Sequence, residues 1–236
     1  VADAELPEHS SVRAARLLEA AGDLLVRRGA NGFTVADVAQ RAHVGKGTVY
    51  LYWPTKEDLL VGLIGRAFLS LIDDVIEMLT EEPDLARPSR FCPMMLEVAT
   101  AKPLVAALQR GDEDLLGVLA RHPRSVAIHQ ALGPSAVLSA VLPFWRVNGS
   151  ARTDWTADDQ AFALQGLLTG VAMSLIGPVP TPSPPEPLAV LGAAVTALLG
   201  PDRANQKQVR ATADDVIAFL RQGRTAALSL IDPAQP

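Results

Sequence analysis

The chain has 236 residues, 49% hydrophobic and 20% charged, with a formal net charge of −5 and one cysteine, Cys92. Such a composition excludes a disordered chain, an internal disulfide framework and indiscriminate attraction to nucleic acid. The charge is uneven, however. Residues 10–56 carry seven basic side chains (Arg13, Arg16, Arg27, Arg28, Arg41, Lys46, Lys56) against Glu19, Asp23 and Asp37, so a basic head precedes an acidic body. A body that repels phosphate and a head that attracts it suit a modular DNA binder. Residues 1–10 are polar and acidic without the apolar core of a signal peptide, and a reducing interior is the expected setting.

Helical periodicity dominates and strand alternation is almost absent, which predicts an all-α fold. The first helix runs from Ser11 to Arg28 on a stripe of Ala14, Leu17, Leu18, Ala21, Leu24 and Leu25, and Gly29 and Gly32 stop it. Thr34 opens a short helix with Asp37 three residues on, a capping-box pattern. Val35, Val38, Ala39 and Ala42 bury one face of that helix. A turn follows at His43 and Val44, then a third short helix from Gly45 to Tyr52, ended by Pro54. Thr55 and Asp58 cap the next helix. Its apolar recurrence from Leu59 to Leu79 carries it to about Thr80, roughly 40 Å. An apolar arc that wide must pack on two sides, so this helix joins a head, residues 1–54, to a body, residues 55–236.

Beyond Pro83 the pattern predicts helices at Ser89–Ala101, Pro103–Gln109, Asp112–Ala120 and Pro123–Val147, the last broken at Gly133-Pro134. Ala161–Ile176 and Leu188–Leu199 contain no charged residue. Between them residues 178–187 hold six prolines, an extended linker. A last amphipathic helix spans Thr212–Arg221. The two uncharged segments are shorter than the roughly 20 apolar residues of a membrane span, so burial within protein is expected and no membrane. With small residues at Gly166 and Gly170, and with Met173, Leu191 and Val195, they suit the four-helix bundle of an isologous dimer. The alternative is that both are core helices of a monomer.

The run Gly45-Lys46-Gly47-Thr48 superficially resembles a phosphate-cradling loop. That motif needs glycine at position 40, where Gln40 stands, and Ser or Thr directly after the lysine, where Gly47 stands. It also needs a preceding strand, and the preceding segment is helix-periodic. A helix-turn-helix fits instead: two short helices around a tight turn, behind a stabilising helix. The second such helix enters the major groove by its N-terminal end. Gly45 and Gly47 obstruct nothing there. Lys46 can reach a base acceptor or a phosphate, and Thr48 a phosphate or a thymine methyl. Tyr50 and Tyr52 can offer hydroxyls to the backbone, Thr34 marks a helix N-terminus that attracts an anion, and Lys56 can grip a second phosphate. Val49 and Trp53 read as core.

Residues 13–60 resemble the tetracycline-repressor (TetR) family of bacterial regulators. The resemblance rests on the paired alanines of the first helix, Gly29, Thr34, "VADVAQRA", "VGKGTVYLYW", Lys56-Glu57 and Leu59-Leu60. Two departures stand out. His43 occupies the turn where the family usually has glycine, and histidine tolerates the left-handed region. Gly45 replaces a common serine, which removes a cap. The resemblance implies an all-α homodimer, cytoplasmic and DNA-associated, with a ligand-receiving C-terminal body. It implies a regulator, repression being the expected output, released from a palindromic double-stranded operator by a small molecule.

No ligand motif is legible in the body. The bulky candidates for a pocket are Phe91, Met94, Met95, Phe144, Trp145, Phe162 and Met173, with Glu97, His129 and Gln165 as polar anchors; each can equally be ordinary core or surface. With Glu97 as the one obvious inward charge, the expected effector is hydrophobic and neutral or cationic. The four histidines (His9, His43, His122, His129) lack metal-site spacing, so neither metal nor cofactor is expected. No catalytic constellation stands out, and a non-enzyme is expected. A ligand-independent DNA-packaging protein is the runner-up, and a helical hydrolase using Glu97 and His129 a remote third.

Overall fold

The computed structural model describes residues 6–105, 113–176 and 183–231. In chain order the helices are α1 (Pro7–Ser10), α2 (Val12–Arg28), α3 (Val35–Arg41), α4 (Lys46–Tyr52), α5 (Lys56–Glu81), α6 (Pro88–Ala101), α7 (Glu113–Arg121), α8 (Pro123–Leu132), α9 (Pro134–Val147), α10 (Ala157–Ile176), α11 (Pro187–Leu199) and α12 (Gln206–Ile231), with a 3-10 turn at Pro83–Ala86. No strand occurs among the described residues. The helix expected at Pro103–Gln109 lies largely outside them, as does the first half of the proline-rich linker.

Local chemistry accounts for the head. Ser11 caps α2, Thr34 and Asp37 form a complete capping box on α3, and Thr55 and Asp58 another on α5. Each cap stabilises its helix by about 1 kcal/mol. Gly29 ends α2 at φ 71°. Ala14, Leu17, Ala21, Leu24 and Leu25 of α2 meet Val35, Val38 and Ala39 of α3 and Val49 of α4 in one apolar cluster. That cluster also takes in Leu59, Leu60, Leu63 and Ile64 of α5, and Leu115 of α7. The head's core therefore extends nearly three turns past residue 54, to Ile64.

The remainder of α5 belongs to the body, where Leu69, Leu71, Ile72, Val75 and Leu79 are buried with Phe91, Val141, Trp145 and Leu220. Two glycines allow close neighbours on α5. A Cβ on Gly62 would lie 3.0 Å from Trp53 Nε1, and one on Gly65 would lie 2.7 Å from Ile231 Cδ1. The first admits the end of the head, the second the end of α12. That last helix is 26 residues long, well beyond the expected Thr212–Arg221. The charged periodicity fades at Gly223, yet the helix continues, because Gly223 is a contact site: a Cβ there would meet Leu132 at 2.4 Å.

The body is anchored by Trp145, fully buried, whose indole donates to Ala86 O at 2.7 Å and stands edge-on to Phe91 at 5.6 Å. Arg87 joins Asp84 (2.7 Å) to Asp202 (2.6 Å), tying the 3-10 turn to the loop before α12. The apolar stretch Pro123–Val147 is long enough by composition to cross a membrane. It turns at Gly133 (ψ 159°) into helices of 10 and 14 residues, each shorter than the roughly 20 a span requires.

The placement of α11 corrects one expectation. Pro93 lies inside α6 and cannot donate to Ser89 O. Gly192 of α11 sits against that carbonyl, where a Cβ would be 2.7 Å away. Seating Gly192 there turns Leu191, Val195 and Leu199 into the protomer's own core, each fully buried. Leu191 and Val195 are thus not surface residues available to a partner. The outward face of α11 is Ala189, Val190, Ala193 and Ala197 instead.

Candidate nucleic-acid interface

The turn between α3 and α4 is built without glycine. His43 takes φ 56°. Its N–H donates to Gln40 O (3.1 Å) and that of Val44 to Ala39 O (3.0 Å), the paired bonds of a Schellman stop. Histidine in the left-handed region meets the requirement anticipated for this position. Gly45 then begins α4 at φ −72°, ψ 146° with no side-chain cap, as its lack of a hydroxyl implied. Val49 and Trp53, each 1% exposed, anchor α4 in the head's core.

That anchoring leaves one face of α4 bare. Gly45, Lys46, Gly47 and Tyr50 are exposed and Thr48 is half-buried. A Cβ on Gly47 would meet nothing within 4 Å. Lys46 Nζ stands 5.8 Å from the Tyr50 ring centroid and has no ion pair among the described residues. Leu51, which the motif reading passed over, is 82% exposed on the same face. Its place one turn after Gly47 was the available signal.

Three residues expected to touch DNA have other partners in this structure. Lys56 donates to Ala30 O at 2.6 Å and Phe33 O at 2.5 Å, with its ammonium 4.5 Å over the Phe33 ring. It binds the loop between α2 and α3 rather than standing free for phosphate. The Tyr52 hydroxyl is 2.6 Å from Ser11 Oγ, linking the end of α4 to the cap of α2. The Thr34 hydroxyl donates to Asp37 Oδ2 at 2.7 Å and accepts from Asp37 N at 3.3 Å. The hydroxyl and the N–H of Thr34, both donating to Asp37 Oδ2 at 2.7 Å, hold the Asp37 carboxyl below its usual range, with nearby Arg28 and Lys56 contributing less. An ionised carboxylate therefore already stands at the N-terminus of α3.

The head is coupled to the body at two further points. Glu8 forms a two-pronged ion pair with Arg66, one bond of 2.7 Å, and the guanidinium lies 6.0 Å from the Trp53 ring. Burial raises the Glu8 pKa, but bonding to Arg66 and its charge outweigh that, and the net shift is downward. His122, at the start of α8, places Nε2 3.2 Å from Asp58 Oδ1.

The residues expected to line a pocket do not converge. Phe91, Met94 and Trp145 are packed core and Met95 and Phe144 pack against it. Phe162 is 84% and Met173 45% exposed on α10. Glu97 and His129 face solvent on different helices, and His129 lies over Gly133. Gln165 bonds Ser135 and Thr169. Aromatic and methionine side chains satisfy core and cavity alike, so residue type could not separate the two. Among the described residues, Met94 and Glu97 line an open groove between α6 and α11 that also includes Met78, Leu85, Pro93 and Leu188. Burial pushes the Cys92 thiol up to about 12, which makes it inert.

Residues 17–63 match the model of the family described as bacterial regulatory proteins, tetR family. The fatty acid metabolism regulator protein of Bacillus subtilis (strain 168) is 31% identical over 75 residues, 30% of this chain and 39% of that one, so the match spans about two fifths of the relative's length. Two solved structures share the fold across most of the chain. The fatty acid degradation regulator of Bacillus halodurans has a TM-score of 0.55 at 19% identity, over 79% of this chain and 98% of that one. A structure from Shewanella sp. PV-4 described as a tetR family transcription regulator has a TM-score of 0.53 at 20% identity, over 80% and 96%. Residues 17–63 of this chain are therefore similar to the tetR family of bacterial regulatory proteins, and the chain as a whole shares the all-helical fold of those two structures.

Proposed function

We propose that the protein is a homodimeric transcriptional regulator, acting as a repressor, that binds a palindromic DNA operator and leaves it when a small apolar molecule occupies the body. The observation that carries this reading is the bare face of α4, where Gly45, Lys46, Gly47 and Tyr50 stand exposed beyond a rigid turn. Lys46 supplies a base or phosphate contact, Thr48 a phosphate contact, and the glycines let the backbone approach. Thr34, Tyr52 and Lys56 position that face through their own bonds. DNA reading lies in residues 1–54, effector binding and dimerisation in 55–236, with α5 shared. A cytoplasmic, DNA-associated location goes with that role.

The exposed, uncharged faces of α10 and α11 support the dimer. Phe162, Gly166, Gly170 and Met173 form a stripe on α10, beside Val190 (55% exposed) on α11. Pairing this patch about a two-fold axis removes it from water and sets two α4 helices for two half-sites. For the effector, the only buried polar residues among those described are Ser150, Gln160 and Thr212, none of them ionisable at neutral pH. A buried ligand charge would go uncompensated, which favours a neutral molecule; a cation suits only the open groove beside Glu97.

The test is binding to duplexes selected from a random pool by the full chain. Preference over random DNA of at least about a thousandfold, weakened by Lys46→Ala and Tyr50→Phe with folding intact, is the expected result. Binding indifferent to sequence points to a packaging protein and ends the operator reading. A thermal-shift screen tests the effector: stabilisation confined to anions such as long-chain acyl-CoA would overturn the neutral ligand.

A further inference from the structure

We infer that Leu51 is a specificity-determining residue that reads the C5 methyl of a thymine in the major groove. The inference rests on the operator-binding role of α4 proposed above. Leu51 is 82% exposed on a helix whose other apolar anchor, Val49, is 1% exposed. Single exposed leucines are common on protein surfaces; the placement of this one is what sets it apart. Its neighbours on the exposed face are Lys46, Gly47 and Tyr50. Helical side chains lean toward the N-terminus, so Leu51 covers surface over the preceding turn, where Gly47 stands. A Cβ at position 47 would meet nothing within 4 Å, the Leu51 side chain included, so the surface between the two positions is open. The leucine is thereby presented toward the end of α4 that enters the groove.

Chemistry then selects the target. An isobutyl group cannot bond the acceptors and amines that distinguish the other base edges. The thymine methyl is the one apolar feature among them. Lys46, at the same end of the face, reaches polar acceptors, so the two side chains divide the reading between polar and apolar positions. Phosphate or sugar packing by Leu51 would add affinity without sequence preference.

The experiment uses the full-length protein and duplexes it selects from a random pool. Each thymine of the selected half-site is replaced singly by deoxyuridine, which removes only the methyl, and the series is repeated with Leu51→Ala. Alanine keeps helix propensity at its maximum, and an exposed site leaves the core untouched. At one thymine per half-site the wild-type protein should bind about fourfold more weakly after the exchange, the value of one buried carbon group. Leu51→Ala should show no difference between the two bases there. Wild-type indifference to every exchange, a half-site without thymine, or equal discrimination by Leu51→Ala would each overturn the inference while leaving operator binding intact. Failure to select any sequence would instead remove the operator reading, and this inference with it.

Discussion

Replacing Lys56 with methionine separates a structural cation from a DNA-gripping one. Methionine keeps most of the stem and removes the ammonium. The two bonds lost, to Ala30 O and Phe33 O, are charge-assisted, about 1.5–3 kcal/mol each before allowance for solvent. Lys56 is only half-buried, and both carbonyls can be rehydrated, so about half of that sum survives. The contact over Phe33 adds about 0.5–1 kcal/mol. Removing a cation from the first turn of α5 returns about 0.5 kcal/mol. The net loss is about 2 kcal/mol, or a fall in Tm of roughly 4–8 °C for a chain of this size at fixed protein concentration. The same variant should bind the selected duplex more weakly, because the loop before α3 loosens, yet with an unchanged slope of log affinity against log salt. Urea denaturation gives the first quantity and a salt titration of binding the second. Unchanged stability together with a slope reduced by about 0.9 would show that the ammonium leaves its carbonyls for a phosphate, and the positional argument would fail.

The surface of α10 and the interior of α11 should respond differently to charge. Gly170→Asp should yield a folded monomer by sedimentation and circular dichroism, whereas Leu191→Asp, placing a charge in the protomer's core, should unfold the chain; a dimeric Gly170→Asp would refute the proposed patch. His43→Gly should raise stability by about 1 kcal/mol, because φ 56° costs histidine and not glycine; a fall in Tm would mean that the ring makes contacts outweighing the strain. Glu8 carries a depressed pKa, so its contribution is complete above the unfolded glutamate value of about 4.3 and disappears as pH falls through the lower folded value. Glu8→Gln should therefore lower stability at pH 7 and converge with the wild type in acid, and a constant difference across that range would contradict the ion-pair account.

The head was legible because its causes are local. Thr34 and Asp37 are three residues apart, the Schellman bonds span a handful, and Pro54 stops α4 from one residue beyond its cap. Lys56 shows where that legibility ends: its acceptors lie 23 and 26 residues away along the chain, and nothing in a lysine after a capping threonine announces them. The body poses the same difficulty at larger scale. Leu188–Leu199 is uncharged on every face, so periodicity could not say which face is core. The choice is made by Pro93 and Gly192, about a hundred residues apart in sequence, meeting at the carbonyl of Ser89. Phe91 and Trp145 likewise owe their burial to each other and not to any pattern around either.

Gly62 and Gly65 lie on α5 less than one turn apart, with Trp53 pressed on one and Ile231 on the other. Those contacts form a close collar on a helix packed along its length, and a rigid tilt of α5 within that packing would pivot there. From the collar α5 reaches about 11 Å to Lys56 and about 26 Å to Glu81, at 1.5 Å per residue. Such a tilt would be geared down: a displacement at the body end would arrive at the head reduced by more than half, with its direction reversed. Paired spin labels at residues 57 and 81 would measure that ratio, and equal travel at both ends would mean that the collar slips.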